Sequence, residues 1–382
     1  MIKKLLRRSL SIVSSIRNRQ VDRHLTQTGI RLLTKEQTIA LLRSYKQLVL
    51  PATQVKLPAV HKLTSPDTII LPPTDTFTNP SFVWSVDQQA GAITLLPYGG
   101  IKLGNDVLCT DYDTDGYYKD FFDRPGQTIR PADLLIAPWS QYLDGARFGG
   151  YYDFVLLVAA KLARVKEAIP ATDFSIATVA YPLFNTSYEK EYLELLGLQA
   201  NQVVDSRTHA VTPARCILGN SGHWFYPNPA DIFTLKKQIS EKINLPALPA
   251  QRLYISRSGR RRVTNEADLI QLLKRFDFVV IEDKPRSVIE QIAIYKRASF
   301  IIGPHGASFS NIIWSEPGTQ LLELFSPNYT PNFFQHMASL LDLRYTAYTN
   351  GKPARSRGVI DALEEDITVS IPEIERYLTE LL

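Results

Sequence analysis

The residues best suited to chemistry fall in two short stretches of the C-terminal half. The first is Gly303-Pro-His-Gly-Ala307, set between an apolar run ending at Ile302 and the helical spacing of Phe309, Ile312 and Ile313. A strand that turns sharply into a helix leaves backbone N–H groups free at the helix N-terminus, and these bind phosphate and other anions. His305 adds a polarisable donor to the same turn. The second stretch is Arg257-Ser-Gly-Arg-Arg-Arg262, directly after the apolar run Leu253-Tyr-Ile. Planar guanidinium groups suit the oxygens of a diphosphate. Glu323, inside a further apolar run, offers a carboxylate to accept hydrogen bonds from ribose hydroxyls. Arg257 and Arg262 are expected on the phosphates, with the backbone of His305, Gly306 and Ala307 holding the same group. Asn311 is expected to orient the turn. Asn265 and Glu266 are either ligand contacts or a helix cap. The chain has no P-loop lysine motif and no GxGxxG, so ATPase and dehydrogenase readings lose support.

These residues need a sheet to bring them together. The spacing predicts strands at 253–256, 278–281, 300–302 and 319–325, alternating with helices at 265–275, 287–297 and 332–341. Ser287 and Glu290 form a capping box at the start of the second helix. Such alternation predicts a parallel α/β sheet, whose ligands bind beyond the carboxyl ends of the strands. In the N-terminal half the period switches to two over Phe82–Tyr118, which reads as a β-meander. Residues 1–50 read as helical. Residues 51–80, with Pro51, Pro58, Pro66, Pro72, Pro73 and Pro80, read as an extended connector. A helix is expected over 154–168, stopped by Pro170, then a buried strand over 174–180. A helix ending at Gly197, strands over 202–204 and 210–218, and a helix over 232–243 follow. Residues 244–251 read as an interdomain linker. The last helix, 371–382, has Ile371, Ile374, Leu378 and Leu381 on one face and needs a partner surface.

At 382 residues, two domains are expected, and 45% hydrophobic with 21% charged residues indicates a globular protein. The net charge of +5 suits an anionic small ligand as well as nucleic acid. Cys109 and Cys216 show no metal-ligand spacing, which fits free, buried thiols in a reducing compartment. Residues 1–19 are basic and amphipathic, either a solvated first helix or a helix resting on an anionic membrane surface. No stretch of about 18 apolar residues appears. Asp111-Tyr-Asp-Thr-Asp-Gly116 resembles the start of a calcium loop, but Phe122 stands where the bidentate Glu is needed. It also resembles the Asp-x-Asp signature with which some glycosyltransferases hold manganese. An acidic turn is the simpler reading.

Several motifs in fixed order carry a family resemblance. Tyr254-Ile-Ser-Arg257, Arg262, Asn265-Glu266, Glu290-Gln291, Gly303-Pro-His-Gly-Ala307 with Asn311, and Leu322-Glu-Leu324 are similar to the core of glycosyltransferase family 61. The resemblance covers roughly residues 82–350 and is specific over 252–325. That family includes protein O-linked N-acetylglucosaminyl and plant xylosyl transferases, and bacterial proteins of surface polysaccharide biosynthesis. It implies a GT-B fold, two Rossmann-like domains facing across a cleft. It also implies a nucleotide-sugar donor such as a UDP-sugar, a glycan or lipid-linked glycan acceptor, inversion at the anomeric carbon, and no required metal or nucleic-acid partner. On this reading residues 1–50 are a helical segment, 51–245 the acceptor-side domain and 246–350 the donor domain, with 351–382 packing back on the acceptor-side domain. A cytoplasmic protein is expected, touching the inner face of the membrane through residues 1–19. Many members carry Asn-Tyr-x-His-Trp on the acceptor side. Here the stretch is Gly150-Tyr-Tyr-Asp-Phe154, with Asp153 in place of the histidine. Direct displacement needs a base for the acceptor hydroxyl. Asp153 is the candidate, and equally a helix cap. His223 is a second candidate, more simply structural. Two other readings are a metal-dependent GT-A transferase using Asp111 and Asp113, and a non-catalytic family member that binds a glycan or partner.

Overall fold

The computed structural model describes residues 17–110, 121, 126–138, 150–220, 223–353 and 359–382. Their contacts divide the chain into two compact units. One runs to Ala52 and resumes over Asn79–Ile239; the other joins Thr53–Thr78 to Ser240–Leu382.

The first unit is built on a six-stranded sheet. Its strands are β1 (Lys46–Leu50), β2 (Ser81–Asp87), β3 (Thr128–Ala137), β4 (Thr178–Tyr181), β5 (Val203–Asp205) and β6 (His209–Gly219). Their spatial order is β5-β4-β3-β6-β2-β1. The pairs β5/β4, β4/β3 and β3/β6 are parallel, while β2 and β1 add antiparallel. Parallel strands are covered on both faces, which is why Leu134–Ala137 and Thr178–Tyr181 read as unbroken buried runs. Trp84, Leu135, Ala180, Cys216 and Leu218 meet in the core. Part of the expected meander is seen in Ile93–Leu95, Ile101–Leu103 and Asp106–Val107, which pair antiparallel in sequence; Ser81–Asp87, expected as its first strand, joins the six-stranded sheet instead, and residues 111–118 lie outside the described residues. Both cysteines are free and buried.

Three segments of this unit depart from the periodicity. Lys46–Leu50, at the end of the stretch expected to be helical, is the edge strand β1, paired with β2. Ala171–Ile176 is a short helix and not the start of a strand; Asp173 in its first turn favours a helix start. The long helix after Gly150 opens as an α-turn, Tyr151–Asp153. It widens to π geometry over Phe154–Ala159 and returns to α over Ala160–Ala168. Every residue of the π segment is buried.

The second unit holds a five-stranded, all-parallel sheet of β7 (Gln251–Ile255), β8 (Phe278–Ile281), β9 (Ala298–Pro304), β10 (Gln320–Phe325) and β11 (Arg344–Thr349). The order is β8-β7-β9-β10-β11. Helices Glu266–Arg275, Val288–Lys296 and Phe333–Leu340 make three crossovers, and a 3₁₀ helix, Ala307–Trp314, makes the one between β9 and β10. The Ser287/Glu290 capping box is present. Residues 53–78 are more than an extended connector: Val60, Ile70 and Leu71 pack in a core cluster with Phe325 and Ala347. Gln54–Leu57 pairs with Thr74–Phe77, and Val60–Lys62 with Ser65–Leu71. The first ribbon is tied down by Thr76, whose hydroxyl meets His336 Nδ1 at 2.9 Å.

The final helix, Ile371–Leu381, differs from expectation in its partner. Ile374, Tyr377 and Leu378 are fully buried in the second unit's own core, with Leu269, Leu273, Phe300 and Leu322. Glu373 fixes it further, pairing with Lys62 at 2.8 Å and accepting from Tyr348 at 3.0 Å. An amphipathic helix lies where its apolar stripe is covered, and here the helix Glu266–Arg275 and the sheet cover it.

Candidate donor site

In the second unit the chain leaves β7 for β8 on one side, then returns to lay β9 on the other. The loops after β7 and β9 therefore part at the point where strand order reverses, the place where open α/β sheets bind ligands. The loop after β7 carries the arginine run, and the loop after β9 carries His305. They touch. Arg257 Nη1 donates to the His305 carbonyl at 3.2 Å, and its Nε donates to the Arg260 carbonyl at 2.6 Å. Two glycines make this approach possible. A Cβ on Gly306 would stand 1.5 Å from Arg257 Nη1. A Cβ on Gly303 would meet the Ile255 carbonyl oxygen at 3.0 Å and the Phe309 ring at 3.1 Å. The glycines serve close packing of strand, turn and guanidinium.

Arg261, which sequence reasoning passed over, is the buried member of the run. Its backbone is left-handed, with φ of 62°, and its guanidinium lies 5.5 Å from the Tyr329 ring centroid. Its Nε is buried with no hydrogen-bond partner. Burial first, and then the neighbouring Arg257, push its pKa down to about 10. Arg257 is lowered as well, by burial and then by Arg260. Cations crowded together, with one buried N–H left unpaired, favour an anion among them. Arg262 turns outward. It is exposed and pairs with Asp366 at 3.1 Å. With Arg257, Ser258, Thr264 and Glu266 it lines an open hollow of about 480 Å³. The signal for Arg261 was absent from the sequence, because three consecutive arginines do not reveal which one takes the left-handed turn.

His305 is buried within an aromatic enclosure. The Phe325 ring stacks on it at 5.4 Å, and Tyr329, Phe334 and Phe333 stand at 5.4, 5.4 and 5.9 Å. Its Nδ1 lies 2.5 Å from Glu323 Oε1, and the Tyr345 hydroxyl donates to Glu323 Oε2 at 2.6 Å. Glu323 is fully buried and both its oxygens are engaged by protein. The carboxylate expected to meet ribose hydroxyls is therefore turned to the imidazole and a phenol. Burial pushes the Glu323 carboxyl up to about 8, against the pull of Tyr345 and Arg261. Burial, with Arg261 and Arg257, holds His305 well below its usual range. Near neutral pH the pair is thus a hydrogen bond between neutral groups.

The remaining candidates have clear places. Asn311 donates to Gln291 Oε1 at 2.9 Å and to the Ser308 carbonyl at 3.1 Å, tying the 3₁₀ turn to the neighbouring helix. Ala307 opens that turn. The Asn265 side chain donates to the Val369 carbonyl at 2.8 Å and accepts from its N–H at 3.1 Å, and makes no cap hydrogen bond. Glu266 accepts from Tyr254 and Ser256, each at 2.8 Å.

The first unit has its own reversal point, between β3 and β6. Asp153, which follows β3, accepts from the Gly150 N–H at 3.0 Å and from Trp224 Nε1, which follows β6, at 2.7 Å. It is 5% exposed, and the hydrogen bond to Gly150 closes the first turn of the helix. Tyr152 donates to the Trp224 carbonyl at 3.1 Å. His223 accepts from the Phe225 N–H at 3.1 Å and stacks on Tyr226 at 4.8 Å; burial and then Lys35 lower its pKa. Asp111, Asp113 and nearly all of the basic segment 1–19 lie outside the described residues. Among the described residues no group of three or more His, Cys, Asp or Glu side chains is placed to hold a metal ion. No described helix is long and apolar enough to cross a membrane.

The family model Glycosyltransferase 61 matches residues 134–322. Through that region the chain belongs to glycosyltransferase family 61. Among curated proteins it is similar to protein O-linked-mannose beta-1,4-N-acetylglucosaminyltransferase 2 of Homo sapiens. The two are 25% identical over 224 residues, or 56% of this chain and 36% of that protein. The Mus musculus protein of the same name is 24% identical over 228 residues, 55% of this chain and 35% of its own length. The matched region thus spans little more than a third of these relatives.

Proposed function

We propose that this protein is an inverting, metal-independent glycosyltransferase of GT-B type. It moves a sugar from a nucleotide-sugar, in the first instance a UDP-sugar, to a hydroxyl of a glycan or lipid-linked glycan. The C-terminal unit takes the donor and the N-terminal unit the acceptor. One observation carries this reading: at the sheet's reversal point, Arg257 sits on the His305 carbonyl while Arg261 is buried beside it with Nε unpartnered. Such cations hold a diphosphate and stabilise the charge that develops as the nucleoside diphosphate departs. Arg262, Gly306, Ala307 and Asn311 belong to the same donor site, Arg262 at its outer rim. Asn265 acts at one remove, by anchoring the backbone at Val369. Asp153 is the proposed base, oriented by Trp224 and by the Gly150 N–H. These relatives are named for N-acetylglucosamine transfer to O-linked mannose, which makes UDP-N-acetylglucosamine the first donor to try.

Calorimetric titration of UDP tests the donor half. Losing a charge-assisted hydrogen bond costs about 1.5–3 kcal/mol, so Arg257→Ala and Arg261→Ala should each weaken UDP binding by roughly ten-fold or more. Unchanged affinity in both refutes the donor assignment. For the acceptor half, Asp153→Asn should lower kcat by about 10²–10⁴ while UDP affinity holds. A variant that loses only thermal stability makes Asp153 a cap. Transfer or hydrolysis of any UDP-sugar excludes a binding-only protein.

A further inference from the structure

Glu323 lies on β10 opposite Gly303 of β9, so the strand register carries its carboxyl beneath the turn that holds His305. The carboxyl is fully buried and bonded at both oxygens, to His305 Nδ1 and to the Tyr345 hydroxyl. No described group hydrogen-bonds to the other imidazole nitrogen, Nε2, although the ring is 4% exposed. Nε2 is not among the buried polar atoms left without a partner, so this nitrogen stays open at the edge of an otherwise enclosed ring, where a ligand oxygen can meet it.

The proton decides what Nε2 can offer. If Glu323 is ionised and His305 neutral, Nδ1–H must donate to the carboxylate, and Nε2 presents a lone pair. A phosphate oxygen would then face that lone pair. If Glu323 keeps its proton, its O–H donates to Nδ1 and Nε2 carries hydrogen. Passing that proton across to Nδ1 leaves Nε2–H in place. In either case one proton is held between the two residues, and Nε2 can donate to an anion. We propose that His305 and Glu323 act as one proton-holding pair that presents Nε2–H to a diphosphate oxygen, so that diphosphate binding requires the pair to keep its proton. Glu323 is then a positioning residue acting through His305, with Tyr345 fixing its second oxygen. The inference rests on the donor reading above and adds to it a pH dependence. The charged and titratable groups around the pair are Arg257 and Arg261 from the loop after β7, Tyr329 from the loop after β10, and Tyr345 from β11. The helix Phe333–Leu340 turns the rings of Phe333 and Phe334 to the imidazole.

The test is titration of UDP, and of inorganic pyrophosphate, between pH 7 and pH 9. The terminal phosphate of UDP, with its last pKa at about 6, is ionised over this range, and Arg261, at about 10, stays cationic; pyrophosphate itself titrates within the range, so it reports only whether a diphosphate binds, and the pH slope and proton uptake are read with UDP. With Glu323 titrating at about 8, affinity of the unaltered protein should fall about ten-fold from pH 7 to pH 9. In Glu323→Gln the amide N–H donates permanently to Nδ1 and the amide oxygen accepts from Tyr345. Its affinity should not vary with pH over the same range. A second readout needs no variant. Calorimetry of the unaltered protein at pH 8.5, in buffers of different ionisation enthalpy, should show uptake of about three-quarters of a proton on binding. Equal pH slopes in the two proteins, or binding without proton uptake, overturn the proton coupling and leave the donor site standing. Failure of both UDP and pyrophosphate to bind at every pH overturns the donor reading, and this inference with it.

Discussion

At the scale of single residues, the donor site depends on one hydrogen atom standing where a methyl group could. Gly306 has φ of 178°, an extended conformation open to any residue, so backbone strain does not select glycine there. Space does. The 1.5 Å separation between a built Cβ and Arg257 Nη1 means that Gly306→Ala must displace the guanidinium. The obstacle is the far end of a flexible side chain, so the fold can absorb the change while the anion site cannot. UDP affinity should fall about as far as in Arg257→Ala, roughly ten-fold or more, with little change in melting temperature. Equal affinity for Gly306→Ala and the unaltered protein would show that Arg257 binds no phosphate in its present position. The same scale explains why the role of Glu323 was not legible. Flanked by Leu322 and Leu324, it reads as a polar residue on one face of a strand, looking toward ligand. A parallel strand has no solvent face, and the side chain that alternation points away from one helix layer points into another.

At the scale of elements, the parallel strands β7 to β10 were legible because burial on both faces gives each a continuous apolar run between breakers. β11 was not, since Arg344-Tyr-Thr-Ala-Tyr-Thr349 mixes polar and apolar residues, as a strand at the sheet edge can. The ribbons of 53–78 were hidden by their prolines. Pro66 lies inside Ser65–Leu71, where it is tolerated because every strand of a two-stranded ribbon is an edge. The amphipathic stripe of the last helix announced a buried face without naming its partner. That partner can be checked by unfolding. Leu378 is fully buried against the second unit's core, so Leu378→Ala should destabilise that unit by about 2–5 kcal/mol in urea. Glu375→Ala, which breaks only the exposed pair with Arg275, should cost less than about 1 kcal/mol. Comparable losses for the two would mean that the helix contributes little through its apolar face.

At the scale of the whole molecule, a modest excess of five positive charges is less informative than where the cations gather. Arg257, Arg260 and Arg261 converge beside the turn at His305, and each of Arg257 and Arg261 has its pKa lowered by burial and by the other cations. In the proposed donor role these cations do the electrostatic work that a divalent cation does in metal-dependent transferases, offsetting charge on the leaving diphosphate. A site so built should bind its nucleotide without added metal. The acidic stretch Asp111–Asp115 makes the point worth testing, since the competing use of that stretch is to hold a metal against the same diphosphate. Stabilisation by ligand separates the two. A nucleotide at 100 times its Kd adds about 2.7 kcal/mol to the stability of the unit it binds, whatever the catalytic competence of the protein. The rise in Tm produced by UDP should therefore be the same in EDTA as in manganese or magnesium. It should disappear in the Arg257→Ala, Arg261→Ala double variant. A rise that needs the metal and survives the loss of both arginines would move the diphosphate from the second unit's cations to the acidic stretch.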